Sequence, residues 1–365
     1  MRYREEFREQ GRVRELARRL AGLVVGPVTL MEVCGTHTMA VARYGLKALL
    51  PPEVRLVSGP GCPVCVTDQG DLDAFLALGA RPEVILATFG DMVRVPGTAT
   101  SLERERARGA AVQVVYSPLD AVEAARSRPD RQVVFLAVGF ETTMPATALA
   151  VRTAKAEGVT NFSVFCLHKT MPGALRALLA SGEVRVHGLL LPGHVTTITG
   201  AAAFDFLPRD FHLPCAVTGF EPVDVLLGVE ALLRQIKAGR AEVANAYARA
   251  VGREANPRAA ALLAEVFEPA EAVWRGLGRI PSSGVTLRAA YAAWDARVRF
   301  ADTLADLPAP PPRARACRCG EVLRGVLSPP ECPLFAGACT PAHPHGPCMV
   351  SSEGACAAVY RYERA

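Results

Sequence analysis

Nowhere in its 365 residues does the chain hold about 18 consecutive uncharged apolar positions, the length a helix needs to cross a bilayer. Its opening, MRYREEFREQGRVREL, lacks the apolar core of a secretory signal. The expectation is a cytoplasmic protein with no membrane association. Lysine is scarce: four of the 41 basic residues, the rest being arginine. Basic and acidic residues are interspersed and the formal net charge is only +5. That balance gives no sign of nucleic-acid binding. The phosphate-loop pattern Gly-x-x-x-x-Gly-Lys-Ser/Thr is missing too, which excludes a standard P-loop site. Apolar side chains are not missing. They make up 50% of the chain against 21% charged, so a mainly disordered protein is excluded and substantial cores are expected.

Residues 1–24 read as a charged amphipathic helix lying on the body. Short β-branched runs then alternate with helical stretches, at 28–33, 54–58, 83–88, 112–116, 132–138, 162–167, 187–191 and 214–218. Such alternation predicts βαβ units and parallel sheets. Taken in chain order, the first four strands give one α/β lobe (25–125) and the second four another (126–222), facing a central cleft. A small internal echo supports two lobes: Gly139-Phe140-Glu141 and Gly219-Phe220-Glu221 each follow a strand. Residues 223–305 are rich in Ala, Leu and Arg and read as helical. The run Leu307–Pro312 reads as a stiff connector. Beyond it lies a Cys-, Gly- and Pro-rich end too small to build much core, which needs a metal centre or disulfides. Together, 223–365 read as a helical and Cys-rich domain.

Eleven cysteines in a cytoplasmic chain call for a catalytic or metal role. Cys166 and Cys215 sit in apolar runs and read as buried packing residues. Cys62-Pro63-Val64-Cys65, framed by Gly59-Pro60-Gly61, can form a reversible disulfide or bind one metal. With Cys34 and His37 it offers a divided Cys3His zinc set. Cys34-Gly-Thr-His37-Thr leaves a strand into a glycine turn, where a thiolate suits a soft metal or nucleophilic chemistry. Glu141 can act as general acid or base, or cap a helix. His194, and more weakly His168 and Lys169, likewise follow strands. Ligands bind beyond the carboxyl ends of parallel strands, so one shared cleft is expected to collect these motifs.

Six cysteines fall in the last 49 residues: Cys317, Cys319, Cys332, Cys339, Cys348 and Cys356. No pair of CxxC knuckles is present there, and the wide spacing fits an iron–sulfur cluster better than zinc. Four ligands leave two thiols over, free to form a redox pair beside the cluster. His343 and His345 are alternative ligands in a Pro-rich loop that reads as solvent-facing.

These residues carry a resemblance. The blocks CGTHT (34–38), GPGCPVCVT (59–67), FGDMVRVPG (89–97), VGFETTMP (138–145), PGHVTTITG (192–200) and the C-terminal CRCGEVLRG…GPCMVSSEGACAAVYRY together resemble the HypD family of [NiFe]-hydrogenase maturation factors, from about residue 28 onward. The resemblance implies a scaffold that builds the Fe(CN)2CO unit with a HypC-type chaperone. It implies that Cys34 holds the iron, that a HypE-type protein delivers cyanide as a thiocyanate, and that Cys62 and Cys65 are the redox pair. His37, Glu141 and His194 would handle protons or orient cyanide. A [4Fe–4S] cluster is implied on Cys317, Cys332, Cys339 and Cys356, with Cys319 and Cys348 as an accessory disulfide. The expected assembly is a monomer or a heterodimer. The competing reading is a free-standing Fe–S thiol–disulfide oxidoreductase, and a third is a structural zinc protein. Segment 89–97 either lines the cleft or shows Met92, Val93 and Val95 to a partner.

Overall fold

The structure, a computed structural model, describes residues 5–305, 307 and 317–363. The expected connector at 307–312 lies outside the described residues apart from Leu307. Nearly all the expected strands form within a residue or two of their predicted ends. They are β1 (Val28–Glu32), β2 (Val54–Ser58), β3 (Val84–Thr88), β4 (Ala111–Val114), β5 (Gln132–Ala137), β6 (Phe162–Cys166), β7 (Gly188–Pro192) and β8 (Cys215–Thr218). A short β9 (Val243–Asn245) follows. All nine pair in parallel, in two sheets with orders β2-β1-β7-β8-β9 and β4-β3-β5-β6.

The division of strands between lobes differs from the chain-order expectation. Strands β1 and β2 open the five-stranded sheet, the chain crosses to build β3 to β6, and it returns to β1 through β7, with Leu30 opposite Gly188. Hydrophobic periodicity marks a strand but not the sheet it joins, so consecutive strands were grouped wrongly. The glycine–phenylalanine–glutamate echo is nonetheless divided one per lobe, after β5 and after β8. Both sheets are covered on both faces, which is why their strands read as near-continuous apolar runs. One apolar core lies between the sheets, joining Met31, Leu136, Phe165, Leu191 and Trp274. The helix Gln10–Ala21 closes the outer face of the larger sheet, setting Val13, Leu16 and Leu20 against helix Pro222–Lys237.

The expected helical segment is also only partly helical. Within it, β10 (Phe267–Trp274) and β11 (Gly278–Leu287) form an antiparallel hairpin. Alanine and arginine favour helix locally, but Gly276 and Gly278 turn the chain at φ +83° and +79°. Trp274 anchors the hairpin: it is fully buried and its Nε1–H donates to Ser283 Oγ at 2.8 Å. The Cys-rich end follows as short helices at Cys319–Leu323, Pro347–Val350 and Ala355–Tyr362. Among the described residues no helix is long and apolar enough to cross a membrane.

Candidate functional site

Cys34 lies two residues past β1, at the N-cap position of helix Gly35–Arg43. It is 7% exposed, and burial, reinforced by the Glu353 carboxylate, pushes its thiol up to about 12. The backbone N–H groups of His37 and Thr36 partly offset this. Cys34 therefore rests as a neutral thiol, and a cation would be needed to draw off its proton. Beneath it lies Glu32, fully buried, with its carboxyl pushed up to about 8 by desolvation. Thr38 Oγ1 donates to Glu32 Oε1 at 2.6 Å and Cys34 N–H to Oε2 at 3.3 Å.

His37 is held by backbone carbonyls. Its Nε2 lies 3.2 Å from Thr218 O and 2.9 Å from Gly219 O, both acceptors only, so Nε2 carries the hydrogen. Burial lowers its pKa to about 4, which leaves the ring neutral and Nδ1 a bare lone pair. That nitrogen is buried with no hydrogen-bond partner. Phe220 stacks between two imidazoles, 4.9 Å from His37 and 3.9 Å from exposed His194.

The Cys62–Cys65 loop folds directly onto this turn. Gly35 N–H donates to Gly61 O at 2.8 Å, and a Cβ on Gly61 would overlap the Cys34 nitrogen. Cys62 and Cys65 form a disulfide with Cα atoms 5.2 Å apart, so in this state they offer no thiolates to a zinc ion. The Cys-rich end caps the site: Thr36 Oγ1 donates to Glu353 Oε1 at 2.6 Å, and Ser351 Oγ lies 3.4 Å from Cys62 Sγ. Asp91, just past β3, acts electrostatically on Glu353, which brings segment 89–97 to the cleft. Met92, Val93 and Val95 are buried there, not presented to a partner.

Glu141 belongs to the four-stranded sheet and is engaged elsewhere. Its Oε1 accepts Met171 N–H at 2.9 Å, its Oε2 is buried without a partner, and burial raises its pKa to about 7. Phe140 stacks on Trp274 at 5.8 Å, and Trp274 bridges to Thr67 beside the disulfide. The hairpin is thus the link between Glu141 and the Cys62–Cys65 loop. His168 is buried with a ring nitrogen 2.9 Å from Thr147 Oγ1, and Lys169 donates to Val273 O at 2.8 Å. Cys166 and Cys215 donate to the carbonyls of Val285 and Leu213, each at 3.3 Å.

All six C-terminal cysteines line a single small pocket, shared with Val322, Leu334 and Met349. Cys319 Sγ and Cys348 Sγ lie 2.9 Å from each other. Burial raises the thiols of Cys317 and Cys356, Cys317 to about 11. Among the described residues no three His, Cys, Asp or Glu side chains converge on one metal-ion position. The thiols are gathered around one pocket rather than converging on one point. His343 and His345 are exposed, though His345 N–H donates to Cys339 Sγ at 3.3 Å.

Sequence reasoning missed Glu32, Glu353 and the stacking role of Phe220. Glu32 had a signal, a lone carboxylate closing a buried apolar strand. Glu353 had none, because its role depends on a contact with Thr36 across 317 positions. Comparison with known proteins places the whole chain in one family. The HypD family model, described as "Hydrogenase formation hypA family", matches residues 11–363. The chain is 46% identical to a hydrogenase maturation factor HypD of Rhodobacter capsulatus, covering 99% of this chain and 98% of that one. It is 47% identical to the HypD of Azotobacter vinelandii (100% and 97%) and 45% identical to that of Escherichia coli K12 (100% and 99%). The chain belongs to the HypD family.

Proposed function

We propose that this protein is a hydrogenase maturation factor that serves as the scaffold on which the Fe(CN)2CO unit is assembled, together with a HypC-type chaperone and a HypE-type cyanide donor. The observation that carries the reading is the Cys34 site. A buried thiol, an unpartnered imidazole lone pair on His37 and a redox-capable cysteine pair meet where the Cys62–Cys65 loop packs on the Cys34 turn. Iron arrives as cargo. Cys34 supplies a soft thiolate ligand once the cation displaces its proton, and low-spin iron with cyanide and CO favours such a ligand. The neighbouring carboxyl groups of Glu32 and Glu353, both raised by burial, accept or hold that proton. His37 and His194, fixed by Phe220, orient the incoming ligand. Glu141, tied to the site only through the hairpin, supports it at a distance.

Releasing cyanide from a thiocyanate yields a thiolate and takes two electrons. Cys62 and Cys65 supply two electrons when two thiols close to a disulfide. Cys317, Cys332, Cys339 and Cys356 suit a [4Fe–4S] cluster, with Cys319 and Cys348 as the accessory pair; the common pocket supports a shared centre and the short Cys319–Cys348 separation supports that partition. When bound, such a cluster supplies single electrons.

The test is infrared spectroscopy of anaerobically prepared protein co-expressed with the other maturation factors, with iron and sulfide analysis. CN and CO stretching bands that vanish in Cys34→Ala are expected. Bands that persist in Cys34→Ala would remove Cys34 from its role. Turnover of disulfide substrates with no partner and no bands would favour the free-standing oxidoreductase.

A further inference from the structure

The two sulfurs of the Cys62–Cys65 disulfide lie in unequal surroundings. Cys65 is fully buried, and its own N–H donates to Cys62 Sγ at 3.2 Å. Cys62 Sγ also meets Ser351 Oγ at 3.4 Å, a contact between groups 289 positions apart. A disulfide sulfur carries no proton, so the hydroxyl must be the donor. The remaining contact of Ser351 Oγ agrees, since it accepts Glu353 N–H at 3.2 Å and its own hydrogen is left for Cys62. The backbone of Ser351 is fixed on both sides, its N–H to Pro347 O and its carbonyl to Gly354 N–H, each at 3.0 Å. The side chain is 2% exposed, so water does not compete for the sulfur.

We propose that Ser351 is a positioning residue that sets the redox poise of the Cys62–Cys65 pair, by donating a hydrogen bond that strengthens when Cys62 becomes a thiolate. This rests on the reading of Cys62–Cys65 as a reversible pair. The step balances with a dithiol as reductant. The dithiol gives two electrons and becomes a disulfide, and the Cys62–Cys65 bond breaks. Cys62 is left as a thiolate held by Ser351 O–H and Cys65 N–H, Cys65 takes one proton as a thiol, and one proton leaves. A hydrogen bond to a charged acceptor is stronger than one to a neutral acceptor, so Ser351 favours the reduced state. Ser351 also caps helix Pro347–Val350, which carries Cys348 and packs on helix Pro63–Val66. A shift of that helix would therefore be felt as a change in how readily the pair is reduced.

The experiment is a thiol-trapping titration of Cys62–Cys65 in dithiothreitol buffers of graded ratio, with mass-spectrometric readout of that peptide. Ser351→Ala should make the pair harder to reduce, lowering its reduction equilibrium constant about tenfold, or about 30 mV for a two-electron couple. Ser351→Thr, which keeps the hydroxyl, should restore most of the shift. Circular dichroism of both variants separates lost fold from lost hydrogen bond. A pair in the parent protein that does not titrate reversibly overturns the redox reading and the proposal with it. A pair that titrates identically in the parent, Ser351→Ala and Ser351→Thr overturns the proposal alone. If Ser351→Ala does not fold, Ser351→Thr and Ser351→Cys carry the comparison. A Thr midpoint near the parent with a displaced Cys midpoint supports the role, and equal midpoints refute it.

Discussion

Around Cys34, buried titratable groups stay neutral, and this has measurable consequences. Between about pH 4.5 and 8 the folded chain keeps a proton on Glu32 that the unfolded chain gives up. Stability therefore falls as pH rises through that window. Glu32→Gln should flatten the decline between pH 6.5 and 8, as read by denaturant melts at each pH. The buried rings of His37 and His168, lowered to about 4, act in the opposite sense. They stay neutral when the unfolded chain charges, so they cost stability as pH falls from about 6.5 toward 4 and leave the carboxyl effect visible above it. Cys34 itself should alkylate more than about a hundredfold slower than a free thiol at pH 8, because thiolate is the reactive form and burial suppresses it. Iodoacetamide kinetics on the Cys34 peptide test this, and a fast reaction would show that the site opens to solvent. The residue types of the Cys34 turn were legible in the sequence, but its resting protonation was not, because burial sets it.

Two elements hold the site through close contact of backbone. Gly61 lies against Cys34 with no room for a methyl group, so Gly61→Ala should cost about 1–3 kcal/mol through overpacking and displace the turn. Thermal melts give the cost, and loss of iron loading gives the displacement. The hairpin was the element least legible from sequence. Each strand carries a proline, β10 mixes Ala with Glu and β11 holds Gly and Ser, and neither shows clean alternation; a bulge between Ala270 and Ala272 also breaks the register. By contrast, β3 and β5 are almost wholly buried runs that announce themselves. Trp274 is the hairpin's contribution to both lobes, and Trp274→Ala should destabilise the fold by about 3–5 kcal/mol in chemical denaturation.

At the scale of the molecule, the contacts that close the Cys-rich end on the rest of the chain include Ser351 on Cys62, Glu353 on Thr36, Lys47 on Glu363, and Gly320 against Gly276 of the hairpin turn. A Cβ on Gly320 would sit 2.8 Å from Gly276 Cα. Gly320→Val should therefore loosen that end, seen as faster alkylation of Cys34 and earlier proteolytic loss of the C-terminal cysteines. The motifs at the strand ends were readable without a structure, since parallel sheets place ligands there. Which motifs meet was not readable, since that depends on how strands are shared between sheets. The sharing also has a temporal side. Strands β3 to β6 are contiguous in the chain, so their sheet can close on itself as soon as residue 166 has emerged from the ribosome. The five-stranded sheet cannot be completed until β7, β8 and β9 arrive to join β1, after residue 245. During synthesis the thiol of Cys34 is thus made early and sheltered late, with Phe220, which packs against the nearby His37, still to be translated.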